Sequence, residues 1–274
     1  MVWRLLDFQS CNIFENMAID EAVFDETIKN HKPPTIRFYT SNPFAITIGY
    51  FQDAHKELNI EKYWREGIDV TRRITGGRAV FHFHEMTYSV AAAEHEKIFP
   101  ADILGAYKII SQCIARGLRE LGIHASLAED GRPFRKDEIQ PCCFSTSLRN
   151  ELQVKGRKIC GSAQVRKKGG FLQHGLLLLD FDAEKTADLM LPDCTPLQVE
   201  ELEKSVTSVA HELGCPMDAR DICSRIKKGF IKELGIKLED GTLTSAEEKL
   251  KDKLMKKYTD VNWNIERKKY FKAA

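Results

Sequence analysis

ELQVKGRKICGSAQVRKKGGFLQHGLLLL, residues 151–179, decides the fold class. Its pieces ELQV, RKICGSAQVRK and FLQHGLLLL are separated by Lys155-Gly156 and Gly169-Gly170. Glycine adopts positive φ without a Cβ clash, so both pairs reverse the chain between extended segments. The spacing predicts an antiparallel meander. If RKICGSAQ is extended, its side chains alternate: Lys158, Cys160 and Ser162 share one face, and Ile159, Gly161 and Ala163 share the other. A lysine beside small residues leaves room for a ligand and supplies a charge, although a solvated lysine on a surface strand is the commoner case.

Outward from the meander, the pattern alternates between strand and helix. IFENMAIDEAVFDETIKN spaces Phe14, Met17, Ala18, Ala22 and Ile28 for a helix, with Asn12 as N-cap and Pro33-Pro34 as its stop. TIRFYT and FAITIGY read as strands divided by SNP, and NIEKYWREG as a short helix. Gly76-Gly77 breaks DVTRRITGGRAVFHFHEMTYSVAAA into two extended segments. From Asp102, the residues Ile103, Tyr107, Ile110, Ile114, Leu118 and Leu121 recur every three or four, and Gly122 follows as a C-cap. After the meander come three helical stretches, PLQVEELEKSVTSVAHELG, DARDICSRIKKGFIKELG and TSAEEKLKDKLMKKY. The last opens on Thr244 and Glu247 at capping-box spacing. Mixed strands followed by helices predict an α+β fold: one unit over residues 1–274, with 196–274 mainly helical.

Bulk properties exclude several classes of function. The 41 basic and 40 acidic residues nearly cancel, which argues against a global nucleic-acid or membrane-surface binder. Eight cysteines, at 11, 113, 142, 143, 160, 194, 215 and 223, form no CxxC pair and no even framework. They read as reduced thiols in a cytoplasmic setting. MVWRLLDFQSCN has early charge and no apolar core, so no signal peptide is expected, and the run Leu176–Leu179 is far too short to cross a bilayer.

Three stretches could carry chemistry. In RRITGGRAVFH, residues 72–82, the adjacent Gly76 and Gly77 let backbone approach a bound group, and Arg72, Arg73 and Arg78 favour an anion or a polarised carbonyl. A plain glycine hairpin with exposed arginines explains the same residues equally well. Cys142 and Cys143 are neighbours, so in extended backbone only one thiol faces a given cleft while the other packs. A thiol of pKa about 8.5 is mostly protonated at neutral pH unless an ammonium stabilises the thiolate. Lys158 lies fifteen residues beyond Cys143, within reach if the meander folds back. Taken alone, a single cysteine is more often inert and buried. His82 and His84 would face one way on a strand, but no matching Cys/His pair accompanies them, so no metal is expected. His174, in LQHG, reads as a core imidazole or as a polar group lining a pocket. Asp20 and Glu21 read as solvated or helix-stabilising, and no P-loop sequence appears.

Taken in order, NMAIDEA, TIRFY, TIGYFQ, RRITGGRAVFHFHEMTYS, CF, NEL, GRKICGSAQ and LQHG resemble the lipoate-attachment superfamily of lipoate ligases, octanoyltransferases and, more distantly, biotin ligases. The resemblance spans nearly the whole chain. It implies a mixed, largely antiparallel sheet with flanking helices around an acyl-binding tunnel. Arg78 stands where lipoate ligases usually carry a third glycine, and Glu85-Met86-Thr87-Tyr88 where they carry a glycine-asparagine pair. Both features look like the cysteine-dependent octanoyltransferases and their amidotransferase relatives. That resemblance implies Cys143, before Phe144, as nucleophile and Lys158 as the group that lowers its pKa. It also implies Arg72, Arg73, Gly76, Gly77, Arg78, His82, Gly161, Ser162, Ala163 and His174 as substrate contacts. Ser145-Thr146-Ser147 departs from the acidic residue and proline commoner in that loop.

The implied reaction takes an octanoyl group from octanoyl-acyl carrier protein onto the cysteine, then onto a lysine of a lipoyl-domain protein such as glycine-cleavage H protein. A thioester is already activated, so neither ATP nor a cofactor is required. Three alternatives stay open at this point: an ATP-dependent lipoate ligase, an amidotransferase between lipoyl domains, and a carrier-binding protein without turnover. Nine Lys/Arg against five Asp/Glu from Ser245 to Ala274 could steer acidic partners, although an ordinary solvated helix is the simpler account.

Overall fold

The computed structural model describes residues 1–30, 32–128, 151–191 and 194–267. In chain order the elements begin β1 (Val2–Cys11), α1 (Ile13–Asn30), β2 (Thr35–Ser41), β3 (Ala45–Ile48), α2 (Ala54–Glu57), α3 (Ile60–Arg65) and β4 (Asp69–Arg72). They continue with β5 (Val80–His82), β6 (Glu85–Ala93), α4 (Ile103–Arg119), β7 (Ser126–Leu127), β8 (Leu152–Val154), β9 (Arg157–Lys167) and β10 (Gly170–Leu178). The rest are α5 (Ala183–Met190), α6 (Pro196–Ser205), α7 (Val209–Leu213), α8 (Ala219–Leu234), β11 (Lys237–Asp240), α9 (Ser245–Tyr258) and α10 (Val261–Asn264).

The meander forms as expected. β8, β9 and β10 are antiparallel neighbours in an eight-stranded sheet ordered β11-β1-β2-β6-β10-β9-β8-β7. Among the described strands of this sheet, only the β11-β1-β2 edge is parallel. A second sheet, β4-β3-β5, pairs β3 parallel to β4 and antiparallel to β5. TIRFYT and FAITIGY therefore lie in different sheets. α1 spans the eighteen residues expected of it, and Asn12 caps it by accepting from the Glu15 N–H at 2.9 Å.

Alternation along β10 sorts the layers. Phe171 and Leu177 join a core with Ile110, Ile114 and Leu118 of α4 and with Ile222, Ile226 and Phe230 of α8. On the opposite face, Leu172 packs with Ile19 and Phe24 of α1, while Leu176 and Leu178 meet Ile46, Ile48 and Phe81 of the small sheet. The C-terminal helices fold back onto the rest: α8 onto α4, and Leu254 and Tyr258 of α9 into a cluster with Met17 and Ala18 of α1. Among the described residues, no helix is long and apolar enough to cross a membrane.

Three expectations need correcting. β1 and β11 are strands that the sequence pattern did not single out. PLQVEELEKSVTSVAHELG is two helices, because Val206 forms a parallel bridge with Lys158 and the Thr207 N–H donates to the Lys158 carbonyl at 2.9 Å. Asp20 and Glu21 are buried, not solvated. Glu21 accepts from Lys257 Nζ and from the Tyr258 hydroxyl, both at 2.6 Å, which ties α9 to α1.

α4 and α8 cross through glycines. A Cβ on Gly229 would lie 2.2 Å from the Cys113 carbonyl oxygen and 2.5 Å from Gly117 N, and one on Gly117 would lie 2.6 Å from the Ile226 Cα. Gly229→Ala gains about 1 kcal/mol of helix propensity but overpacks rigid backbone, at a cost of roughly 1–3 kcal/mol or more. The variant is expected to unfold at a lower urea concentration than the parent with an unchanged m-value; an equal or higher midpoint would show that the crossing yields.

Candidate active site

A cavity of about 400 Å³ opens where the two sheets meet. The small sheet contributes Thr47, Val80 and His82; the large sheet contributes Tyr39, Thr87, Gly161, Ser162, Ala163, His174, Gly175 and Leu176; α1 adds Met17. Phe51, Gln52, Glu57, Arg73, Gly77 and Arg78 complete the lining, and Phe51 is 73% exposed at the mouth. Most of the wall is apolar.

Local sequence explains how the walls come so close. Gly77 has φ +90°, which a residue with a Cβ rarely adopts, and Gly49 lies so near that a Cβ there would sit 1.9 Å from the Gly77 carbonyl oxygen. The glycine loop after β4 therefore rests directly on the loop after β3.

Polar side chains beneath the apolar lining hydrogen-bond to one another and to backbone carbonyls. Arg73 is buried: Nε donates to Thr75 Oγ1 at 3.1 Å, Nη1 to the Thr47 carbonyl at 3.3 Å, and Nη2 to the Gly76 and Arg78 carbonyls, each at 2.7 Å. Thr75 Oγ1 is 2.6 Å from His174 Nε2, and His174 Nδ1 is 3.3 Å from Asp20 Oδ2. The same carboxylate accepts from Arg37 Nη1 at 3.0 Å and from the Tyr39 hydroxyl at 2.8 Å. Burial lowers the His174 pKa more than Asp20 raises it, so the imidazole is neutral at pH 7. Burial alone would raise Asp20, but the bonds from His174, Arg37 and Tyr39 together hold its carboxyl below the usual range. An ionised Asp20 only accepts, so Nδ1 carries the proton and Nε2 accepts from Thr75. A parallel chain runs from Thr47 Oγ1 to His82 Nε2 at 3.0 Å and from His82 Nδ1 to Glu85 Oε1 at 3.2 Å, with Thr87 donating to Glu85 Oε2 at 2.7 Å.

Of the residues expected from the sequence, Arg73, Gly77, Arg78, His82, Gly161, Ser162, Ala163 and His174 meet at this cavity. Arg72 does not line it. Its guanidinium donates to the carbonyls of Gly49, Tyr50, Gln52, Trp263 and Asn264, and burial lowers its pKa to about 10. Alternation sends it away from its neighbour Arg73. Gly76 offers its carbonyl to Arg73 and is also outside the lining. His82 and His84 do not share a face: His82 ends β5 and is buried, whereas His84 is exposed at φ +47°. Cys142 and Cys143 lie outside the described residues.

Lys158 requires another correction. Cys160 pairs with Leu152 and Lys158 with Gln153, so a bulge at Ile159 breaks the alternation. Adjacent Leu152 and Gln153 point to opposite faces, and therefore so do Cys160 and Lys158. Cys160 joins the α4/α8 core, while Lys158 turns to the face of Gly161 and Ala163. It is 2% exposed and donates to Glu151 Oε1 at 2.7 Å. Asp20, Tyr39, Thr47, Glu57, Thr75 and Glu85 join the site through partners distant in the chain. NMAIDEA and NEL contain Asp20 and Glu151, but no local spacing announces their partners.

Comparison with known proteins places this arrangement. The family described as lipoyl protein ligase A/B catalytic domain matches residues 12–231. Octanoyltransferase LipM of Symbiobacterium thermophilum is 40% identical over 270 residues, covering 96% of this chain and 98% of that protein. Octanoyltransferase LipM of Clostridioides difficile is 35% identical over 268 residues, covering 97% and 99%. Among solved structures, a lipoate-protein ligase A bound with ATP superposes with TM-score 0.79 at 26% identity, covering 97% of this chain and 99% of that one.

Acid should test the His174 chain. Its folded pKa lies below the unfolded value of 6.5, so between the two the unfolded chain binds more protons and stability falls as pH falls. For the parent, the urea midpoint is expected to drop as pH is lowered from 7.5 towards 5.5, and His174→Asn should flatten that slope. Equal slopes in the two proteins would place the acid sensitivity elsewhere.

Proposed function

The chain belongs to the lipoyl protein ligase A/B catalytic-domain family, and from that premise we propose that it loads an octanoyl group onto Cys143 and passes it to a lysine. It is an acyltransferase of lipoate biosynthesis, and the reaction it carries out is octanoyl transfer. The finer assignment takes octanoyl-acyl carrier protein as donor and a lipoyl-domain protein, such as glycine-cleavage H protein, as acceptor, in the cytoplasm where thiols stay reduced.

The observation that carries this reading is the cavity itself: mostly apolar, about 400 Å³, with its polar floor already hydrogen-bonded. That volume lies within the roughly 300–1,000 Å³ usual for small-ligand sites. At about 0.8 kcal/mol per buried methylene, an octanoyl chain gains on the order of 5 kcal/mol there. No polar atom of the chain is needed to hold it.

The Cys143 thiolate attacks the carrier-bound thioester; the Cys143–acyl bond forms, and the carrier thiolate leaves and takes a proton. The acceptor lysine, as a neutral amine, then attacks the new thioester. An amide forms, the amine's proton is released, and the Cys143 thiolate is regenerated. Lys158 is the cation assigned to that thiolate. The Glu151 bond fixes its ammonium and keeps it charged despite burial; that carboxylate offsets part of the charge, and the remainder lowers the pKa of an adjacent thiol. Backbone N–H groups near Gly76-Gly77 and the Lys158 ammonium are the donors assigned to the tetrahedral oxyanion.

Intact-mass measurement without ATP tests the scheme: incubation with octanoyl-acyl carrier protein should add one octanoyl group. Cys143→Ala should lose both adduct and transfer, while Cys142→Ala keeps most of each. The reverse pattern would move the nucleophile to Cys142, and no adduct on the parent would end the covalent scheme. Lys158→Ala is expected to slow alkylation of Cys143 at neutral pH by about tenfold, the change that one pKa unit brings to a mostly protonated thiol; an unchanged rate would remove its electrostatic role.

A further inference from the structure

Glu57 and Arg78 face each other at the cavity mouth. Arg78 Nη1 donates to Glu57 Oε2 at 2.6 Å, and the two side chains are 18% and 19% exposed. Glu57 is held from behind by its side chain, and Arg78 by its backbone. Glu57 Oε2 also accepts from Gln52 Nε2 at 2.9 Å, and Oε1 from the Asp53 N–H at 3.1 Å. Gln52 is anchored in turn, since its Oε1 accepts from the Gly49 N–H at 3.0 Å. The Arg78 carbonyl accepts from Arg73 Nη2. Glu57 cannot readily swing away from the opening, and the Arg78 guanidinium stays with it through their ion pair.

An arginine at the rim of an apolar cavity is a ready partner for a carboxylate, because the guanidinium matches its geometry and burying an unpaired carboxylate is costly. A fatty acid would place its tail in the cavity and its head at such a cation. Here Glu57 already supplies the counter-charge. Resting on the reading that this cavity takes the acyl chain, we infer that Glu57 is a specificity-determining residue. By neutralising Arg78, it admits uncharged acyl groups and denies free fatty carboxylates a counter-ion. The acyl end of a thioester is uncharged and pays nothing for that arrangement, whereas a free acid competing for the same cavity is not held.

Calorimetric titration of the full chain with sodium octanoate and with neutral octanamide tests the inference in four proteins: parent, Glu57→Gln, Arg78→Gln and the double variant. One unit of charge several ångströms away at a half-screened surface changes affinity by about tenfold. Octanoate is therefore expected to bind Glu57→Gln about tenfold more tightly than the parent, and Arg78→Gln about tenfold more weakly. The double variant should return to within about twofold of the parent, and octanamide should not distinguish the four. Equal octanoate affinities in all four would overturn the inference and leave the cavity assignment standing; parallel shifts for octanamide would overturn it as well, because shape would then be responsible. Binding of neither probe to any protein would overturn the cavity assignment and the inference with it. Should Glu57→Gln fail to fold, a parent-like octanoate affinity in Arg78→Gln would be enough to refute it.

Discussion

The buried guanidinium of Arg73 joins the parts that make the cavity. It reaches β3 through the Thr47 carbonyl, the glycine loop through the Gly76 and Arg78 carbonyls, and β10 through Thr75 and His174. Buried carbonyls without donors are costly, and a planar fork of five donors can satisfy several at once while staying charged. The chain of bonds continues from His174 to Asp20, and from Asp20 to Arg37 and Tyr39. One polar network thus links the glycine loop, both sheets and α1 underneath an apolar surface. An alkyl chain offers no hydrogen bonds by which to be positioned, so a wall of fixed shape must position it, and the network fixes that wall.

Adjacent Arg72 and Arg73 divide the work because strand residues alternate. Arg73 turns to the cavity, while Arg72 turns outward to the segment around α10, where the Trp263 indole N–H returns a bond to the Arg72 carbonyl at 2.8 Å. Lys257 and Tyr258, at the end of α9, meet Glu21, the next residue after Asp20 on α1. The C-terminal helices are therefore tied to the same strand and helix that support the site, although none of their residues lines it.

Local signals were readable where a few neighbouring residues determine the outcome. α1 has the bounds its spacing and Asn12 cap implied, the two glycine-containing turns delimit β8, β9 and β10, and Thr244 and Glu247 form both halves of a capping box. What escaped depends on distant partners. KLED is polar enough to read as a loop, and it becomes a strand because β1 offers it an edge. Helix α6 stops where Val206 finds Lys158, 48 residues earlier in the chain. Asp20 looked like a surface acid; Arg37 and His174, 17 and 154 residues away, make its burial tolerable. A bulge is a property of two strands, so alternation within RKICGSAQ alone put Lys158 on the wrong face.

The same physics separates binding from selection at this site. Apolar walls offer equal surface to an octanoyl chain whether it ends in a thioester, an amide or a free acid, so burial of the chain cannot discriminate among them. The floor cannot do so either, because its threonines and histidines already hydrogen-bond to one another and to buried carboxylates. Discrimination is left to the polar groups at the opening, where the head of the acyl group must lie when its tail is inside. There Arg78 is already paired with Glu57, so an entering carboxylate gains less from that arginine, and an uncharged acyl group loses least by entering.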